Sequence, residues 1–205
     1  MQELPRQLSR LQLKHRIFGL GCLICLLLLT SAKARTPNPN AGEQIFHTAG
    51  GCGCHIDVEN GAPLLAGGRP LPTPFEVFYA NNITPYLTTG IGYLSDEDFV
   101  RAMQEGIGPE GQHYFPSFPY PAFSKMSEED LLHLKDYLFS LPPIQRNNQP
   151  HELQFPFNLR LNAWFWNILF HDPEPIIPDP SRSASWNRGR YLTEAVAHCA
   201  ESVSY

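Results

Sequence analysis

The chain has 205 residues, enough for one domain with some additional structure but too few for two full domains. Its formal net charge is −5, and an acidic protein is a poor binder of nucleic acid, which requires clustered positive charge. The acidity favours solubility and suits docking to a basic partner protein.

The first 34 residues have the layout of a secretory signal peptide. A basic start is followed by an apolar run from Ile17 to Thr30, and Ala32-Lys33-Ala34 then provides a cleavage site of the A-x-A type. We therefore expect residues 1–34 to be a signal peptide and the mature protein to be exported to the periplasm. The alternative is an uncleaved anchor, although the run is shorter than the roughly 20 residues that span a bilayer.

Cysteine usage argues against a disulfide framework. Cys22 and Cys25 lie in the signal segment, which leaves Cys52, Cys54 and Cys199 in the mature chain. An odd and small number of cysteines is not the pattern of a disulfide-rich domain. Two cysteines separated by one residue and followed at once by a histidine call for another explanation.

The beginning of the mature chain is predicted to contain a short helix, a glycine-rich turn and a long loop. The helix covers residues 41–49, and the turn carries the cysteines. Residues 57–92 lack a helical period and are rich in proline and glycine, so we predict a structured loop. A loop of this length is unusual in a compact domain, but it is reasonable if it wraps a large cofactor that replaces the missing core.

Two further helices have clear start signals. Ser95 is the predicted N-cap of the first, which acidic residues follow and Gly106 ends. Ser127 begins the second in the same way, its leucines share one face, and the prolines at 142–143 stop it. An aromatic, proline-rich loop over residues 111–125 lies between the two helices.

The character of the sequence changes after residue 143. Residues 144–157 are interpreted as a linker, residues 158–170 as a short apolar helix, and residues 173–180 as a second, proline-rich linker. A final helix is predicted over residues 185–200, and no long strand pattern occurs in the sequence.

The segment Gly51-Cys52-Gly53-Cys54-His55 is typical of covalent haem attachment. In the usual signature, C-x-x-C-H, two thiols bond to the haem vinyl groups and the histidine binds the iron. Here one residue separates the cysteines, so Cys54 has its proper place while glycine stands where the first cysteine is expected. A thioether through Cys54 is straightforward, whereas one through Cys52 needs a distorted turn that the glycines can allow. The alternatives are a reactive dithiol or half of a metal site, but a zinc site usually needs a second ligand pair.

The second axial ligand of the iron has five candidates. Met126 is favoured because it follows the aromatic loop and directly precedes a helix, and because Met/His ligation is an established haem pairing. Its alternative role is that of a hydrophobic staple. Met103 is interpreted as core filler, and His113 would give a bis-His site. His133 is interpreted as solvated, and His47 lies too near the proximal turn.

Several short segments form a wider pattern. They are GEQIF at 42–46, LAGGRPL at 65–71, TPF at 73–75, NITP at 82–85, TGIG at 89–92, YFP at 114–116, FPY at 118–120 and KMS at 125–127. Each is weak alone, but together they resemble the bacterial di-haem cytochrome c family, which includes cytochrome subunits related to membrane dehydrogenases. The resemblance covers residues 42 to about 200.

This resemblance implies an all-α, cytochrome c-like fold built around the haem, in which helix 41–49 crosses helix 127–141 at the haem edge. It also implies that Asn82 and Tyr120 lie near the porphyrin. Arg69 is a candidate partner for a haem propionate, because a guanidinium matches carboxylate geometry. The predicted iron ligands are His55 and Met126. The complete predicted haem-binding set is Cys52, Cys54, His55, Arg69, Asn82, Tyr120 and Met126.

The family has a second cytochrome domain after a linker, and its start is visible here as FPFN at 155–158 and WNRGRYL at 186–192. Cys199 stands where a second C-x-x-C-H would begin, but Ser202-Val203 occupy the places of its second cysteine and histidine. We therefore predict a cytochrome c domain over 35–145, a linker helix and truncated start of a second domain over 146–205, and one haem c per chain.

These features predict one-electron transfer in the periplasm rather than catalysis. The implied partners are a dehydrogenase as donor and an oxidase or cytochrome as acceptor, with attachment to the inner membrane left open. One alternative is a haem enzyme such as a peroxidase, which would need an open sixth position. The other is a degenerate, non-functional remnant, which the altered cysteine spacing and the lost second motif favour.

Overall fold

The computed structural model describes residues 35–74 and 76–199, so the predicted signal peptide and the end of the incomplete second motif lie outside the described residues. The helices of this part are α1 (Pro39–Thr48), α2 (Asp96–Glu105), α3 (Tyr120–Phe123), α4 (Glu128–Ser140), α5 (Arg160–Phe170) and α6 (Ala184–Tyr191). The strands are β1 (Pro70–Thr73), β2 (Glu76–Tyr79) and β3 (Glu152–Leu153). A 3-10 turn covers Gly50–His55, and a π-helical turn covers Leu192–Val196.

The predicted helix starts are confirmed. At α2, the Ser95 hydroxyl accepts a hydrogen bond from the Asp98 N–H, and the Asp98 carboxylate accepts one from the Ser95 N–H. This is a complete capping box, and Gly106 ends the helix in a left-handed conformation. At α4, Ser127 accepts a hydrogen bond from the Asp130 N–H at 3.2 Å.

Among the described elements, α1 and α4 make the most extensive contact, and they are the two helices that the resemblance expects to cross. Gly42 allows the close approach, since a Cβ there would lie 2.8 Å from the Cβ of Tyr137 and would collide with the main chain of α4. The Phe46 ring lies 5.0 Å from the Tyr137 ring. A salt bridge of 2.6 Å between Lys135 and Asp96 joins α4 to α2.

A small antiparallel sheet departs from the all-α expectation. Its order is β1-β2-β3, with Pro70 opposite Tyr79 and with Val77 opposite Glu152. The strands have two to four residues, and β1 contains two prolines, so the sequence shows no alternating pattern. Proline is tolerated in β1 because an edge strand does not need every N–H group. Most of the regular structure is nevertheless helical.

Helix α5 is fixed to the rest of the molecule by one face. Ala163 is buried, the Trp166 ring lies 5.9 Å from the Tyr120 ring, and the Asn167 side chain donates to the Glu105 carbonyl at 2.7 Å. The other face exposes large apolar side chains. They are Leu161, Trp164, Phe165, Ile168, Leu169 and Phe170.

The described chain from Pro37 onward is one compact unit. Near its C-terminal end, Ala195 and Val196 are fully buried in the main apolar cluster. The predicted boundary between a cytochrome c domain over 35–145 and a second-domain fragment over 146–205 comes from the family resemblance and stays a prediction. Within the described ranges, every helix is too short or too polar to cross a membrane.

Candidate haem-binding site

The cysteine-bearing turn has an unusual backbone. Gly50, Gly51 and Cys52 all have positive φ angles, of 78°, 64° and 51°. Glycine adopts such angles without penalty, whereas Cys52 is strained there because of its Cβ. The two glycines therefore allow a shortened cysteine spacing, and the strain falls on Cys52.

The two cysteines of this turn have different surroundings. Cys54 is exposed, whereas Cys52 is half-buried and packs against the main apolar cluster. Burial raises the pKa of the Cys52 thiol to about 12, and the neighbouring Cys54 side chain raises it further. Of the two cysteines, Cys54 is thus the more accessible to a haem vinyl group.

His55 is oriented by the backbone of the following loop. Its Nδ1 lies 2.7 Å from the Asn81 carbonyl oxygen. A carbonyl can only accept, so Nδ1 carries the proton and Nε2 keeps a free lone pair. Burial lowers the pKa of His55, and the bond to Asn81 opposes this only partly. A neutral imidazole held through one nitrogen is the usual arrangement of a metal-ligating histidine.

Met126 lies in the main apolar cluster and is 3% exposed. Cys52 and Ile56, which lie on either side of His55 in sequence, pack against that same cluster. Met126 is held by its backbone, since its N–H donates to the Phe123 carbonyl and its carbonyl accepts from the Gln104 side chain, both at 2.9 Å. The structure therefore places the Met126 thioether in the apolar region that borders the cysteine turn.

Burial alone does not show which methionine is the iron ligand, because Met103, the other candidate, is buried in the same cluster as Met126. Met103 lies inside α2, whereas Met126 ends the aromatic loop immediately before α4. Of the histidine candidates, His113 has a buried Nδ1 without a hydrogen-bond partner. His47 lies in α1, where Glu43 is 3.9 Å away.

Arg69, Asn82 and Tyr120 make contacts within the protein. Arg69 donates to the Gly53 carbonyl at 3.0 Å and so braces the cysteine turn. The buried Asn82 side chain donates to the Ile144 carbonyl at 2.8 Å and accepts from Thr84. These bonds join the long loop to the segment after α4.

Tyr120 is fully buried. Its hydroxyl accepts a hydrogen bond from Asn167 at 3.4 Å, and its ring meets the His171 ring edge-on at 4.9 Å. It thus joins the aromatic loop to α5 and to His171, the residue that follows α5. Proximity of Arg69, Asn82 and Tyr120 to a porphyrin stays a prediction.

Sequence reasoning missed two groups that hold the predicted ligands. The Asn81 carbonyl fixes His55, and Gln104 holds the Met126 carbonyl. The first contact is made by the backbone, so no side-chain pattern announces it. The second joins residues on different elements, which helical periodicity within α2 does not reveal.

The donor set fits a haem. A thiol that is free to form a thioether stands directly before a neutral imidazole, and a thioether sulfur lies in the adjoining apolar cluster. Histidine and methionine are a known pair of axial haem ligands. Within the described ranges, no three His, Cys, Asp or Glu side chains group as ligands for a metal ion.

The chain is similar in sequence to known bacterial cytochromes. The chain is 38% identical over 169 residues to a di-haem cytochrome c-type protein of Cereibacter sphaeroides, a match that covers 81% of this chain and 57% of that protein. It is 33% identical over 174 residues to the fructose dehydrogenase cytochrome subunit of Gluconobacter japonicus, over 84% of this chain and 36% of that subunit. These relatives match the bacterial di-haem cytochrome c family that the sequence resembles.

A nicotinate dehydrogenase subunit of Pseudomonas putida is also similar, with 42% identity over 159 residues. That match covers 77% of this chain but 13% of the Pseudomonas protein. The chain thus spans little more than half of the di-haem cytochrome and smaller fractions of the two dehydrogenase subunits. No protein-family model matches the chain.

Proposed function

We propose that this protein is an electron-transfer cytochrome in which covalently bound haem c is held by His55 and Met126. The observation that carries the proposal is the state of His55, which directly follows an exposed cysteine and is fixed through Nδ1 with its Nε2 lone pair free. The cytochrome relatives support the same conclusion.

The proposed residues have three roles, which are covalent attachment of the haem, ligation of its iron and exclusion of water. Cys54 would form a thioether, His55 and Met126 would bind the iron, and the apolar cluster around Met126 would keep the site dry. When bound, the haem iron supplies reversible one-electron redox chemistry. Arg69 would then brace the turn that carries the thioether and the proximal ligand.

We further propose one haem per chain. The relative from Cereibacter sphaeroides is named a di-haem cytochrome, but the residues after Cys199 do not complete a second attachment motif. Residues 35–145 would then form the haem domain, and residues 146–205 would correspond to the linker helix and the start of the second domain.

The partners follow from the names of the relatives. Fructose, gluconate and alcohol dehydrogenases occur among them as the enzymes whose cytochrome subunits match this chain. We propose that this chain accepts electrons from a dehydrogenase and passes them to an oxidase or another cytochrome. It would do so in the periplasm after removal of residues 1–34, and it would carry electrons rather than transform a substrate.

Haem staining of the denatured protein tests this proposal. The chain would be produced together with periplasmic haem-attachment machinery, beside a variant in which both Cys52 and Cys54 are replaced by alanine. We expect a stained band for the wild type, because a thioether survives denaturation, and none for the double variant. An unstained wild type would contradict covalent haem binding.

A further inference from the structure

The peptide between Met126 and Ser127 is fixed at both of its polar atoms. Its carbonyl accepts a hydrogen bond from the Gln104 side chain at 2.9 Å, and its N–H donates to the Tyr191 hydroxyl at 3.1 Å. The first contact comes from α2, and the second comes from the last residue of α6. One peptide unit next to the predicted sixth ligand is therefore held from two directions.

The Tyr191 hydroxyl is itself held in place. It donates to the Asp130 carboxylate at 2.6 Å, a short bond of the kind expected for a charged acceptor. Arg188 lies 3.6 Å from the same carboxylate, and its guanidinium lies over the Tyr191 ring at 5.0 Å. Tyr191 thus joins α6 to the first turn of α4, directly beside Met126.

The segment after Tyr191 is anchored in the apolar core. Ala195 and Val196 are fully buried in the cluster that contains Met126, and Leu192 packs against it. The His198 ring meets the Phe123 ring edge-on at 5.5 Å. This packing fixes the main chain on the C-terminal side of Tyr191 and so limits how far Tyr191 can move away from Ser127.

Gln104, which donates to the Met126 carbonyl, is itself contacted by a residue from the C-terminal half of the chain. The His171 Nε2 donates to the Gln104 carbonyl at 2.8 Å, and the His171 ring lies against Tyr120. His171 directly follows α5. Of the residues beyond 145, Tyr191 therefore contacts the Met126–Ser127 peptide directly, whereas His171 contacts the backbone of Gln104, whose side chain holds that peptide.

We propose that Tyr191 is a positioning residue for the sixth ligand, which holds the Met126–Ser127 peptide so that the Met126 thioether stays on the haem iron. The inference rests on the assignment of Met126 made under the proposed function. A neutral sulfur competes for the iron with water and added ligands, so freedom of the chain that carries it opens the sixth position. The C-terminal segment then serves the haem site even though it carries no complete attachment motif of its own.

The test compares Tyr191→Phe with wild type in the haem-loaded full chain. Phenylalanine keeps the ring but removes the hydroxyl that accepts from Ser127. The matched control is Tyr93→Phe, since Tyr93 is 55% exposed. The readouts are the weak far-red sulfur-to-iron band of the ferric protein, carbon monoxide binding by the ferrous protein, and haem staining.

We expect Tyr191→Phe to retain the stain, to weaken the far-red band and to bind carbon monoxide roughly five-fold more tightly. That factor is what the loss of one hydrogen bond of ordinary strength allows. Tyr93→Phe should match the wild type. Unchanged band and carbon monoxide affinity in Tyr191→Phe would overturn the inference, whereas a wild type without the band would overturn the assignment of Met126 itself.

A second variant decides the matter if Tyr191→Phe is not recovered with haem. Asp130→Asn leaves Tyr191 in place but removes the negative charge that orients its hydroxyl. A far-red band weaker than that of the wild type supports the positioning role of Tyr191, and a band equal to that of the wild type contradicts it.

Discussion

The two cysteines of the proposed haem-binding turn are not equivalent at the residue level. Cys54 is exposed and has the standard place before His55, whereas Cys52 is half-buried in a left-handed conformation. We predict that Cys54→Ala abolishes covalent haem staining and that Cys52→Ala retains it. Loss of the stain in Cys52→Ala, with retention in Cys54→Ala, would reverse the assignment.

Met126 and Met103 offer a second comparison at the residue level. Both are buried, but Met126 ends the loop before α4. We predict that Met126→Ala removes the far-red sulfur-to-iron band and lowers the reduction potential, since a methionine ligand raises it. Met103→Ala should lower stability by about 2–5 kcal/mol, as for other core truncations, but should keep the band. The opposite pattern would move the ligand to Met103.

The sequence predicts those residues whose side chains form a local pattern. Cys54 and His55 are adjacent in a recognisable motif, and Met126 stands beside a helix cap. Asn81 acts through its carbonyl, and Tyr191 reaches Ser127 across 64 positions of the chain. A backbone acceptor has no sequence signature, and a long-range contact becomes visible only when the fold brings two elements together.

At the level of elements, the approach of α1 to α4 depends on Gly42. A methyl group there would collide with the α4 backbone. We predict that Gly42→Ala destabilises the haem-loaded protein by at least about 1–3 kcal/mol, the usual range for overpacking. Denaturant unfolding followed at the haem absorption band measures this change.

Gly189 in α6 provides the control for Gly42. An added Cβ at Gly189 meets no atom within 4 Å. Gly189→Ala should therefore leave stability unchanged or raise it by about 0.5–1 kcal/mol through the better helix propensity of alanine. Equal destabilisation by both substitutions would show that the cost of Gly42→Ala does not come from the close approach of α1 to α4.

The elements differ in how well they can be predicted from their sequences. α2 and α4 begin with serine caps followed by acids, and these local signals agree with the structure. The sheet was not predicted, because its strands are very short and β1 contains two prolines. Strand pairing between residues 76–77 and 152–153 is a tertiary feature without a local signal.

At the level of the whole molecule, the C-terminal segment contributes to the core. Val196 is fully buried in the cluster that contains Met126. We predict that Val196→Ala lowers the unfolding free energy of the haem-loaded protein by about 2 kcal/mol, from the loss of buried methyl groups. The decrease should appear in the haem signal, because the segment shares one apolar cluster with Met126, the proposed sixth ligand.

Ile177 is the matched surface position, since it is 77% exposed. Ile177→Ala should change stability by less than about 0.5 kcal/mol. If Val196→Ala had an equally small effect on the haem signal, the C-terminal segment would be an independent appendage rather than part of the core.

A spectroelectrochemical titration of the haem-loaded protein tests the central claim most directly. It records the haem absorption bands as the applied potential is changed in both directions. An electron-transfer cytochrome with a closed His/Met site should show a reversible one-electron transition, and its ferrous form should bind carbon monoxide poorly. An irreversible transition, or a ferrous wild-type protein that binds carbon monoxide fully, would contradict the account.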